Sequence, residues 1–135
     1  MNGLQAYQRV NTQTSITDAD PHKLIQLLYN GAIERINMAK ARMQAKDYAG
    51  KAQLINKSIE IVGSLRGFLD FEKGGELAIR LESLYDYMEN SLFEASAHND
   101  IAKLDEVQDL LRTVKDGWDG IRQEAISGQA QQAAV

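Results

Sequence analysis

A chain of 135 residues with 44% hydrophobic side chains, one proline and a formal net charge of -4 has the size of one domain with a real core, and its composition excludes a largely disordered polymer. The absence of cysteine excludes disulfide frameworks, thiolate metal sites and cysteine nucleophiles. Acids and bases are interspersed, which disfavours nucleic acid as a partner, because phosphate binding is driven by clustered Lys and Arg. The start, "MNGLQAYQRV", has neither a basic n-region nor an apolar h-region, and no apolar run reaches transmembrane length. The expectation is a cytoplasmic protein without membrane insertion.

Residues 1–18 are polar except for Leu4, Tyr7, Val10 and Ile16, a pattern for an N-terminal arm or short capping helix. At "DADPHKL", Asp20 is a natural N-cap and Pro21 suits the first helical position, where its missing N–H costs nothing. Ile25, Tyr29, Ala32, Ile36, Ala39 and Met43 then step alternately by four and three, the seam of a bundle helix ending near Ala45. Asp47 is placed to cap a second helix from Tyr48 to about Glu72, with Ile55, Ile59, Val62 and Leu69 on its core stripe.

Gly74 and Gly75 read as a helix stop, with Gly74 at the positive φ that a residue lacking Cβ adopts. A third helix follows to His98, its seam read as Leu77, Leu81, Leu84, Met88, Leu92 and Ala95. "HND" supplies turn and cap, and a fourth helix from Ile101 to about Ile126 carries Leu104, Val107, Leu111, Val114, Trp118, Ile121 and Ala125. Short breaks between long helices make neighbours antiparallel. The predicted fold is therefore all-α, an up-down-up-down four-helix bundle over 19–126, with an arm over 1–18 and a disordered tail over 127–135.

Catalytic and metal readings fail for want of residues. A di-iron bundle needs Glu-x-x-His pairs, but Ala19 and Ala95 stand three positions before the two histidines, His22 and His98. The glycine pair lacks the spacing and the Lys-Ser/Thr of a phosphate loop. The pairs Asp70/Glu72 and Asp86/Glu89 read as solvated helix surface. No enzyme activity, cofactor or metal is expected.

Apolar surface, by contrast, is in surplus. On the second helix Leu54, Ile61, Leu65 and Phe68 form another row about 100° around from the core stripe, widening the apolar arc to roughly 200°. Tyr85 flanks the third seam, Tyr87 lies on its other side, and Ile79 and Phe93 fall nearly opposite it. Two readings compete: a helix touching two neighbours needs a wide face, or the row lines a groove for an apolar helix of a partner. The groove reading takes Leu54, Ile61, Leu65, Phe68, Tyr85 and Tyr87 as partner-binding residues. Leu4, Tyr7 and Val10 on the arm would cover part of it.

The stretches "AYQRV" (6–10), "PHKLIQLLYNGA" (21–32), "FLDFEKGGELAIRLESLYDYM" (68–88) and "LDEVQDLLRTVKDGWDGI" (104–121) resemble, in order, the bacterial flagellin-export chaperone family, FliS. The resemblance implies an all-helical cytosolic chaperone that binds the disordered C-terminal segment of flagellin, prevents its premature polymerisation and helps deliver it to the flagellar type III export apparatus. It further implies an export-gate component as a partner, with other flagellar regulatory proteins as further candidates, and an arm anchored at Tyr7 that moves when flagellin arrives.

Overall fold

The computed structural model describes residues 21–127, with side chains described to residue 120. Four helices account for nearly all of it: α1, Pro21–Gln44; α2, Tyr48–Gly67; α3, Phe71–His98; and α4, Ile101–Ser127. The turns between them are three, three and two residues long, so sequence neighbours run antiparallel. α1 packs on α2 and α4, and α3 packs on α2 and α4, which closes the bundle as a ring. Asp20, the arm with Tyr7, and residues 128–135 lie outside the described residues.

Each turn has its own chemistry. After α1, Lys46 adopts φ 61 and the Asp47 N–H returns to the Arg42 carbonyl at 2.9 Å, a Schellman-type closure with a lysine where glycine is the usual residue. Asp47 then caps α2, its Oδ1 accepting from the Gly50 N–H at 3.0 Å. The carboxylate sits so close that a Cβ on Gly50 would stand 2.5 Å from Asp47 Oδ2. Asn99 closes α3 in the left-handed region, which its side chain tolerates, and the Asp100 side chain accepts from the Lys103 N–H.

The α2–α3 connection differs from the sequence expectation. α2 stops at Gly67, and Asp70 caps a new helix by accepting from the N–H groups of Glu72 and Lys73, both at 3.0 Å. The Asp70 side chain thus satisfies backbone donors that a continuous helix would have turned inward. One helical turn later Gly75, not Gly74, takes the positive φ, at φ 51 and ψ -125, and kinks α3. A side chain would be strained there.

The seam of α3 lies beyond the kink. Its buried members are Ala78, Tyr85, Met88, Leu92 and Ala95, with Leu81 partly buried between the first two, again alternating three and four. Leu77 is exposed and Leu84 moves to the flank. The α1 seam is buried as read, with Leu24 and Leu28 added, and on α4 Leu104, Val107, Leu111 and Trp118 are buried with Val114 at the edge, while Ile121 and Ala125 lie outside the described side chains.

Candidate partner-binding surface

The wide apolar face of α2 has a structural cause. Lys51, Ile55, Ser58, Ile61, Val62, Ser64 and Leu65 are all buried, because this helix packs against α1 on one side and α3 on the other. Of the sequence-predicted residues, Ile61 and Leu65 therefore belong to the core, at 0% and 2% exposure. Leu54 and Phe68 remain partly buried at its edge. Gly31 of α1 faces Ile61 across this contact: a methyl added there would rest at an ordinary packing distance, 3.6 Å from Ile61 Cδ1.

Outside that contact runs a shallow depression between α1 and the start of α2. Met38, Arg42, Gln53 and Leu54 line it, and it continues along α2 past Asn56, Lys57 and Glu60. Met38, exposed on the outer flank of α1, is a wall residue that the seam analysis passed over. Its signal was the seven-residue spacing from Gly31, which sets both on one strip of the helix. Leu27, partly buried four residues before Gly31, extends the strip.

The tyrosines separate. Tyr85 is 2% exposed, and its hydroxyl meets the Tyr29 hydroxyl in a hydrogen bond that ties α3 to α1 across the bundle interior. Burial raises the pKa of both hydroxyls above the usual tyrosine range; the nearness of Tyr85 raises that of Tyr29 further, while the bond from Tyr29 pulls that of Tyr85 back. Tyr87 stands on the rim between α3 and α4 and donates to Glu106, 2.9 Å from either carboxylate oxygen. The structure thus leaves Leu54 in the α1–α2 depression and Phe68 at the core's edge just past the end of α2, sinks Tyr85 in the core and sends Tyr87 to another surface.

Buried polar groups fasten the helices around this surface. Lys51 Nζ donates to the Ser96 carbonyl at 2.6 Å and lies 5.5 Å from the Tyr48 ring centre, pinning the start of α2 to the end of α3. Arg66 reaches Asp86 at 3.4 Å and Glu89 at 3.1 Å. Burial pushes the Glu89 carboxyl above its usual range; Arg66 pulls it down, and Asp86 pushes it up again. Gln108 donates to the Ile33 carbonyl and accepts from Lys40, which also pairs with Asp105 at 2.7 Å. His22 stacks on Trp118 with ring centroids 4.7 Å apart, and the indole donates to the His22 carbonyl at 3.1 Å, so this histidine serves the α1–α4 joint.

This bundle coincides with a known family over nearly its whole length: the model of the flagellar protein FliS matches residues 3–125. The chain belongs to the FliS family. Similar FliS proteins include the flagellar secretion chaperone FliSB of Pseudomonas aeruginosa, 48% identical over 121 residues that cover 90% of this chain and 96% of that protein. The flagellar secretion chaperone FliS of Vibrio cholerae is 40% identical, over 90% of this chain and 89% of its own length. That of Salmonella typhimurium is 35% identical over 125 residues, covering 92% and 93%. FliS membership makes this a four-helix bundle of the flagellar secretion chaperones. Among the described residues no helix is long and apolar enough to cross a membrane.

Proposed function

We propose that the chain is a cytoplasmic chaperone that binds the disordered C-terminal segment of flagellin as amphipathic helices, keeps it from polymerising and assists its delivery to the flagellar type III export apparatus, where an export-gate component is the next partner. The observation carrying this reading is the α1–α2 depression, where Met38 and Leu54 stay accessible, with Phe68 partly open at the core's edge beyond the end of α2. A chain segment with an apolar stripe can lay that stripe on such a surface with no nucleotide cycle. Ordering a disordered ligand costs about 2–5 kcal/mol, so useful affinity calls for a long footprint over more than one helix.

In this reading Leu54 and Phe68 are wall residues, while Ile61, Leu65 and Tyr85 support the floor from within. Tyr7 anchors an arm that shields the surface until flagellin arrives, and Tyr87 extends the footprint toward α4. Titration calorimetry with a flagellin C-terminal peptide tests it. Leu54→Asp and Phe68→Asp proteins that melt like the parent should lose at least about tenfold in affinity, the scale of one truncated interface contact; unchanged binding by both overturns the wall assignment. Deletion of residues 1–14 should change the affinity, and indifference to it would remove the shielding arm.

A further inference from the structure

Five of the seven large apolar side chains left exposed on the described surface belong to α3: Phe71, Leu77, Ile79, Tyr87 and Phe93. Phe93 at 68% and Ile79 at 56% are the most open of all, and neither helps to bury the seam. They stand fourteen residues apart, about 21 Å along the helix, on one strip of its outer face. That face lies away from the Met38–Leu54 depression, because α3 borders α2 and α4 while Met38 is on α1.

The charge around this face is one-sided. Residues 68–120 carry thirteen acids against five bases, whereas residues 21–67 carry three acids against eight bases. Part of this imbalance is used internally, where Lys40 and Arg66 of the first hairpin pair with Asp105, Asp86 and Glu89 of the second. What flanks Ile79 and Phe93 on the outside is Glu76, Glu82 and Glu94, with Glu106 across the rim. The bases among them are engaged: Arg80 with Glu76 at 2.6 Å and Lys103 with Glu94 at 3.4 Å. Lys103 reports the field, its ammonium held above the usual lysine range by the Glu94 hydrogen bond and charge, with Tyr87 and Glu106 adding to it.

We infer that the outer face of α3 is a second docking surface, distinct from the α1–α2 depression, and that its occupant is a basic amphipathic helix whose apolar residues cover Ile79 and Phe93 while its Lys and Arg side chains meet Glu76, Glu82 and Glu94. An acidic or neutral helix would bring like charge, or none, to a rim that its own bases only partly neutralise. The inference is independent of what the α1–α2 side binds.

Two synthetic helical peptides with one shared Leu/Phe stripe, one with a Lys-rich polar face and one with a Glu-rich face, test this on the full chain. Fluorescence anisotropy should show the Lys-faced peptide binding at least about tenfold tighter at low salt, with the advantage shrinking as the Debye length falls from about 14 Å to about 4 Å near 0.5 M. Amide resonances of residues 76–97 should shift. Phe93→Asp and Glu82→Lys, both at exposed positions, should each weaken binding severalfold with the melting curve unchanged, and Leu54→Asp should leave it intact. Equal affinity for the two peptides, indifference to Phe93→Asp, or resonance shifts confined to the α1–α2 side would each overturn the proposal.

Discussion

Tyr29 and Tyr85 each satisfy the other's hydroxyl inside the bundle. Removing one hydroxyl leaves a buried polar group alone, which costs about 1–3 kcal/mol, whereas removing both exchanges the pair for two apolar rings. Urea melts should therefore show Tyr29→Phe and Tyr85→Phe each destabilising by about that amount, and the double variant by clearly less than their sum. The pair also sets an alkaline limit. Both folded pKa values lie above the ordinary value of 10.0, so the folded state keeps protons that the unfolded state releases. Their contribution is complete below about pH 10 and is lost as pH rises beyond it. Stability of the parent should fall faster above pH 10 than that of the double Phe variant, measured by urea melts across that range.

At the scale of elements, two backbone positions carry opposite predictions. Lys46 holds a left-handed cap without being glycine, so Lys46→Gly should raise stability by about 0.5–1 kcal/mol. Gly75→Ala should lower it by about 1–3 kcal/mol, because φ 51 with ψ -125 is open to glycine and strained for alanine. Thermal melts of the two variants should move in opposite directions. The same position shows what the sequence could disclose. The seams of α1 and α4 were legible because nothing interrupts their three-four alternation. Which of the two adjacent glycines turns was not, both being equally permissive as letters, and on α3 Leu81, Met88, Leu92 and Ala95 were legible while Leu77 and Leu84 stood one residue from the buried Ala78 and Tyr85. α2 showed an apolar arc wide enough for either a groove or a double contact. Its resolution came from packing: α2 contacts both α1 and α3, which makes Ile61 and Leu65 core. Leu54 and Phe68 stood in one row with Ile61 and Leu65, and only the packing sets them apart at the edge; Met38, on the facing helix, becomes part of that edge only when the two helices are set side by side.

For the molecule as a whole, cooperativity rests on joining two hairpins of opposite charge balance. Gln108, Lys40 and Asp105 fasten α4 to α1, and Arg66 fastens α2 to α3. Trp118, the sole tryptophan, sits at the far end of the α1–α4 joint against His22. Its fluorescence should therefore lose its native value at the same urea concentration at which far-UV circular dichroism loses helix, as for one two-state unit. A fluorescence transition at lower urea would mean that the joint opens ahead of the bundle.

The α1–α4 joint also has a meaning in time. Tyr48 to Gly67 follow α1 at once, so the first hairpin can close while the chain is still being made, but the indole that covers the His22 carbonyl is 96 positions downstream. At about 5–20 residues per second, translation leaves that flank of α1 without its cover for roughly 5–20 s. The fourth helix off the ribosome seals the first, and until it does the newborn protein is itself a chain with an uncovered apolar stripe.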